Sequence, residues 1–300
     1  MHRILGIGEL LWDMLPEGPQ LGGAPANYTV MAGRLGNHAT IISRIGHDEL
    51  GDRALEVLRP FPVDCGQIQV DPELPTGRVT VTLEEGQPSY TIHKPVAWDS
   101  FELSEDWLGE AARADAVCFG SLAQRSEKSR RTIHTLLRAT SPECLRIFDV
   151  NLRAPYYTAE IVRESLERAS VIKMNDVEVP QVLGLLGLTT AGSLREGAGW
   201  ILKQFEELDL VAITRGGEGS LLVGRSEWHE HPGIPTRVAD TIGAGDAFTA
   251  AMTTYLLRGA PLAVLNEAGN RWGSFVASQS GAMPAIEPET LERITREIEG

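Results

Sequence analysis

Apolar residues along the chain fall into two rhythms. Arg3-Ile-Leu-Gly-Ile-Gly8 is a short continuous run of the kind a buried strand presents, and Ala24 to Leu35 switches to helical spacing that Gly36 ends. Arg78-Val-Thr-Val-Thr-Leu83 alternates with period two, turns at Glu85-Gly86 and resumes in Tyr90-Thr-Ile92, which predicts a hairpin with one polar face. From residue 115 onward, apolar runs at Ala116 to Phe119, Ile147 to Val150, Val171 to Met174 and Leu210 to Thr214 are separated by helical segments. Such βαβ alternation predicts an α/β fold, a mostly parallel sheet with helices on both faces. No internal repeat or Pro/Ser-rich linker divides the chain, so residues 1–300 read as one domain from which the hairpin is an excursion.

Composition narrows the partners. With 42% hydrophobic and 23% charged residues the chain has the material for a core and lacks the signature of disorder. A formal net charge of −14 repels phosphate backbones and anionic lipid, so neither nucleic acid nor a membrane surface is an expected partner. No apolar run approaches the roughly eighteen residues of a membrane span, and the acid at Glu9 interrupts any leader-like core, which reads as a cytoplasmic protein. Cys65, Cys118 and Cys144 are few, scattered and odd in number, which suits a reducing compartment and buried thiols.

The strongest chemical signal lies late in the chain. Asp240-Thr-Ile-Gly-Ala-Gly-Asp246 leads into a helical stretch, Ala247 to Leu257, closed by Gly259. Glycines at 243 and 245 let backbone N–H groups converge around Ala244, and the helix start adds positive potential, so the turn reads as an anion hole. A carboxylate at its mouth, Asp246, is placed to take a proton from an attacking hydroxyl. The same residues also read as a tight turn with a helix-capping acid. The run is neither a Walker P-loop nor a dinucleotide fingerprint, and Gly6-Ile-Gly8 lacks the third glycine a dinucleotide oxidoreductase needs.

Asp-Thr-Ile-Gly-Ala-Gly-Asp-Ala-Phe resembles the C-terminal signature of the ribokinase-like (pfkB) carbohydrate kinases. Gly22-Gly-Ala-Pro-Ala-Asn27, followed by a helix to Arg34-Leu-Gly36, resembles that family's N-terminal signature in its fructokinase-like form. Between them, Ile45-Gly-His-Asp48 with Gly51, Asp149-Val-Asn-Leu-Arg153, Lys173-Met-Asn-Asp-Val-Glu178 and Thr214-Arg-Gly-Gly-Glu-Gly219 fall in family order, so the likeness covers essentially the whole chain. It implies a three-layer α/β/α domain with a small β lid, contributed by about 10–22 and 66–100. The implied activity is ATP-dependent phosphorylation of a sugar hydroxymethyl group with Mg2+, and in some relatives K+. A homodimer through the lid is implied as well.

The resemblance also assigns roles. Asp13, Gly22, Gly23 and Asn27 match sugar-holding positions, and Arg153 a position near the substrate where a guanidinium can hold oxygens bidentately. Tyr90, Lys94 and Trp98 stand where a lid would close over the sugar; Trp98 reads equally as core. Asn175 with Glu178 matches the motif that organises magnesium and phosphate, often through water, while Thr214, Gly216, Gly219 and Asn270 match the nucleotide site. Asp240 resembles a residue near a monovalent cation. Taken singly, each also has a plain reading, as a loop acid, a surface ion pair, a helix-start acid or an ordinary hairpin glycine.

Ile92-His-Lys-Pro-Val-Ala-Trp-Asp99 departs from the Arg-Asn-Pro pattern of fructokinases. Fructose is still the first expectation, because Gly22-Gly-Ala-Pro-Ala-Asn27 is the fructokinase-like form of its motif, with another ketose, 2-keto-3-deoxygluconate, ribose or a nucleoside behind it. A non-catalytic sugar or nucleotide sensor on the same fold is the alternative of another class.

Overall fold

The computed structural model describes residues 1–15, 18–84, 87–188 and 192–300, and the backbone alone for 81–84 and 87–90. The chain starts with strand β1 (Arg3–Ile7), leaves it for a hairpin, β2 (Leu11–Leu15) and β3 (Gly18–Gly22), and enters helix α1 (Ala24–Arg34). Then come β4 (His38–Gly46), α2 (Glu49–Leu58), β5 (Ile68–Asp71) and a second hairpin, β6 (Gly77–Glu84) and β7 (Gln87–Ile92). Helix α3 (Glu105–Arg113) opens the regular alternation β8 (Ala116–Gly120), α4 (Glu127–Ala139), β9 (Leu145–Asp149), α5 (Ala159–Leu166), β10 (Val171–Asn175). After α6 (Glu178–Leu185) and α7 (Leu194–Gln204), three strands follow: β11 (Leu210–Thr214), β12 (Ser220–Gly224) and β13 (Trp228–His231). Helices α8 (Ala244–Leu257), α9 (Leu262–Ala277) and α10 (Pro288–Glu299) finish the chain.

Among the described residues, nine strands form one sheet in the order β13-β12-β11-β10-β9-β8-β1-β4-β5. All neighbours from β11 to β5 pair in parallel, and β12 and β13 are antiparallel additions at one edge. Strand residues are buried on both faces, and successive side chains part company: Val211 and Ile213 join the core with α3 to α7, while Leu210 and Ala212 join the core with α1, α8, α9 and α10. This is the three-layer arrangement expected from the alternation, and it explains why the strand segments read as continuous apolar runs.

The two hairpins form a second sheet, ordered β3-β2-β6-β7. It coincides with the expected lid segment 10–22, but within 66–100 only residues 77–92 join it. Ile68–Asp71 pairs with β4 in the large sheet, and Trp98 is wholly buried, with Arg125 stacked 3.9 Å over its ring. Trp98 is therefore core and not a residue that closes over a ligand. The expected turn at Glu85-Gly86 and the Tyr90 side chain lie outside the described residues.

Because the sheet is parallel, the carboxyl ends of β1, β9, β10 and β11 share one rim, and the chain departs from β1 toward β4 on one side and β8 on the other. A cleft beyond such a rim, at the strand where the winding reverses, is where open α/β sheets bind ligands.

Candidate active site

Two helix starts converge on that rim. Gly243 caps α8 at φ 78°, a left-handed conformation that suits glycine, and a Cβ there would stand 2.7 Å from Ala282. The helix begins at Ala244, three residues before the stretch expected from spacing, so Asp246 lies inside its first turn. The Ala244 N–H turns back to the Thr241 carbonyl at 3.3 Å, and the next two N–H groups have no partner within the helix. Gly245 packs over Lys173, whose Nζ would stand 2.9 Å from a Cβ there.

Helix α1 approaches from the other side. Gly23 takes φ 113° and lets the chain pass over Glu9, whose carbonyl oxygen would be 2.2 Å from a Cβ. Gly22 leaves room for the Asp13 carboxylate, 2.9 Å from where its own Cβ would be. One turn on, Asn27 Nδ2 donates to Asp246 Oδ2 at 2.8 Å, joining the two helices.

Below Asp246, Lys173 Nζ donates to Asp149 Oδ1 at 3.2 Å, and Thr249 Oγ1 to Asp149 Oδ2 at 3.1 Å. Burial pushes the Asp246 carboxyl up to about 6, the Asp149 charge adds to this, and Lys173, the Asn27 amide and Arg153 oppose it. Burial works against the Lys173 ammonium, but Asp149, Asp246 and Glu178 outweigh it and keep it charged. Asp13 is raised by burial and held back by Arg153. Asp246 is thus a recessed carboxylate that ionises just below neutrality beside unpaired N–H groups, the pairing that hydroxyl deprotonation and anion binding require.

A sequence model of the pfkB family carbohydrate kinases matches residues 19–289. The chain belongs to the pfkB carbohydrate kinase family. The uncharacterized sugar kinase PH1459 of Pyrococcus horikoshii is 30% identical over 298 residues, covering 93% of this chain and 91% of its own. Its crystal structure in complex with ATP superposes with a TM-score of 0.83 over 98% of this chain and 99% of that one. A fructokinase of Vibrio alginolyticus is 30% identical over 311 residues and 97% of each chain. The fructokinase of Vibrio cholerae O395, solved with fructose, ADP and calcium, shares the fold at 24% identity and a TM-score of 0.82, over 98% of this chain and 99% of that one. The architecture is therefore the ribokinase-like α/β fold.

In this pfkB kinase the other expected residues divide by what they already hold. Arg153 is exposed and is the positive charge that acts on Asp13, Glu9 and Asp246 in common. Glu178 is buried, its Oε1 receiving the Leu152 N–H and its Oε2 the Asn175 N–H, while Asn175 Oδ1 receives the Glu178 N–H, each at 2.8 Å. That reciprocal clasp ties the ends of β9 and β10 to α6. Thr214 ends β11, and Gly216 opens the following turn at φ 55° with no atom crowding it. Gly219 is required by the protein itself, since a Cβ would stand 2.0 Å from the His231 carbonyl. Asn270 Nδ2 donates to Ser220 Oγ at 2.6 Å and to the Asn266 carbonyl, fastening α9 to β12. Asp240 shapes its turn by receiving the Ile242 and Gly281 N–H groups, and Lys94 stands 5.5 Å over the Tyr156 ring, in a cleft of about 510 Å³ with Asp99 and Arg125.

Three cleft residues escaped the reading of the sequence as site residues: Glu9, Asp149 and Lys173. Each was visible as a charge at or in an apolar strand, Lys173 in the middle of Val171–Asn175. A charge in such a run is a stronger signal than its motif context, because burial without a partner is so unfavourable.

Proposed function

We propose that this pfkB kinase transfers the γ-phosphoryl group of ATP to a primary hydroxyl of a neutral sugar, fructose being the first candidate. The observation that supports it is Asp246: a recessed carboxylate, oriented by Asn27, in the first turn of a helix whose start offers free N–H groups. The sugar hydroxyl gives its proton to Asp246 as its oxygen attacks the γ-phosphorus, and ADP leaves with the electrons of the broken P–O bond. The N–H groups of Gly245 and Asp246 and the positive end of α8 stabilise charge on the phosphoryl oxygens. Lys173, paired with Asp149 and close to Gly245, offsets part of the rise that burial and the Asp149 charge impose on Asp246.

A magnesium ion accompanies the nucleotide in this reading. Both Glu178 oxygens already receive backbone N–H groups, so the ion would meet this acid through water, as a cation that dehydrates reluctantly prefers. When bound, it supplies charge neutralisation to the phosphates.

Charge in the cleft favours a neutral acceptor. Asp149 and Lys173 cancel, leaving Glu9, Asp13 and Asp246 against Arg153, surroundings that disfavour a sugar acid such as 2-keto-3-deoxygluconate. A lid-to-lid homodimer in the cytoplasm completes the proposal. The test is ADP release from Mg-ATP with fructose, ribose, 2-keto-3-deoxygluconate, adenosine or no acceptor, for wild type and Asp246→Asn. Sugar-dependent release lost in the variant supports the kinase; no acceptor-dependent release favours an acceptor outside the panel or the non-catalytic sensor; a faster sugar acid removes the neutral assignment.

A further inference from the structure

One carboxyl in the cleft is incompletely used. Glu9 follows β1 at the rim and is 4% exposed, yet its Oε2 has no hydrogen-bond partner. Asn27, 6% exposed in the first turn of α1, has the same defect at Oδ1. Its amide cannot turn over to cure this, because Nδ2 is held by Asp246 and the reversed amide would set oxygen against a carboxylate. Buried acceptors are ordinarily paired, and an unpaired one lowers stability, so two beside one helix start require an explanation.

Most of the neighbouring backbone is already committed. Gly23 packs on the Glu9 carbonyl, Pro25 has no N–H, and the Asn27 N–H is bound to the Gly23 carbonyl at 3.0 Å. The Ala24 N–H and the Glu9 N–H favour the charged carboxylate, Arg153 acts at longer range, and the Asp246 charge opposes it. What fits two acceptors flanking a proton-accepting carboxylate is an uncharged molecule with several hydroxyls. A second anion would be repelled by Glu9, Asp13 and Asp246 together.

We propose that Glu9 is a binding residue of the acceptor pocket, its Oε2, closed to solvent in this structure, turning to receive one hydroxyl of the sugar whose primary hydroxyl faces Asp246, with Asn27 Oδ1, closed in the same way, receiving another. This rests on the kinase reading. It makes the acid after β1 a selector for polyols and explains why a buried carboxyl with an idle oxygen persists at a position where a neutral residue would be more stable.

Glu9→Gln tests it. The amide is nearly isosteric and can still receive the Ala24 N–H, but it loses the charged acceptor at the pocket. We expect the KM for the accepted sugar to rise about tenfold or more, the loss of a hydrogen bond to a charged group, while the KM for Mg-ATP moves less than about twofold. The thermal midpoint stays level or rises. An unchanged sugar KM overturns the assignment and leaves Glu9 as a support for α1 with water on its free oxygen; a lowered thermal midpoint with unchanged sugar KM says the same. Should the Gln variant fold poorly, Glu9→Asp keeps the charge and withdraws it by one methylene, with the same expected split in KM. Wild type that turns over no acceptor overturns the kinase and this assignment together, whereas sugar-dependent turnover untouched in Glu9→Gln overturns this assignment alone.

Discussion

The protein draws acids partly out of water in two places and treats them in opposite ways. Where the chain passes between the two sheets, Asp48 receives the Gly51 N–H, the Thr76 N–H and the Thr76 hydroxyl. Nearby, Asp71 receives the N–H groups of Glu73 and Leu74 and meets Arg44 Nε at 3.0 Å. Burial acts to raise both, but those donors prevail and each carboxyl lies below its usual range. At the strand rim, Glu9 is pushed up by burial to about 7 and Asp246 to about 6, each with fewer donors. The first pair is finished within the fold and holds the small sheet to the large one. The second is unfinished, which is what a site completed by a ligand looks like.

Breaking this contrast at its active end gives the largest effect. Asp246→Asn should lower kcat by about a thousandfold, within the range of a lost general base, with little change in the KM for Mg-ATP. The same substitution should stabilise the protein. Asp246 binds its proton more tightly folded than unfolded, so its contribution to folding is intact below about pH 4 and is lost as the pH rises through about 6. The Asn variant escapes that loss and should exceed wild type by about 2–3 kcal/mol above pH 6, an advantage that fades toward pH 4 in chemical denaturation. A gain of similar size at every pH would separate it from Asp246 ionisation.

At the finished end the sign reverses. Asp48→Ala abandons the cap of α2 and the Thr76 donors, and should reduce stability by about 2 kcal/mol in the same assay. Its lowered carboxyl contributes stability above the ordinary aspartate range and loses it as the pH falls. Wild type and Asp48→Ala should therefore converge in acid, whereas wild type and Asp246→Asn converge there from the opposite direction.

The same distinction marks what the sequence could tell. Layers and strands were legible because both faces of the parallel strands are apolar, and Val171 to Met174 or Leu210 to Thr214 admit few other readings. The strands of the first hairpin were not, since Leu11–Leu15 and Gly18–Gly22 carry no clean alternation and pair through their setting. Asn27 and Asp246 were legible as motif members; that they touch is a fact of tertiary packing, 219 positions apart in the chain. Gly219 and Asn270 were legible by resemblance, yet their tightest contacts are with the protein's own backbone and side chains, which spacing cannot reveal. Glu9 was passed over because it stands between two motifs and belongs to neither.

The finest test of the contrast is the acid limb of the pH profile of kcat/KM for the sugar, taken at saturating Mg-ATP. Two carboxyls in the cleft titrate between pH 5 and 8, Glu9 at about 7 and Asp246 at about 6, with Asp13, Asp149, Lys173 and Arg153 as their charged neighbours. If the sugar needs both ionised, activity begins to fall near pH 7 and steepens below 6 toward a limiting slope of about two, the apparent values belonging to the pair. In Glu9→Gln one proton is removed from the account, and the limb should keep a slope of about one, centred near 6 because Asp246 then titrates beside a neutral neighbour. Superimposable limbs of unit slope would leave Asp246 alone in control of the rate, and the idle oxygen of Glu9 would then belong to the fold, as Asp48 and Asp71 do.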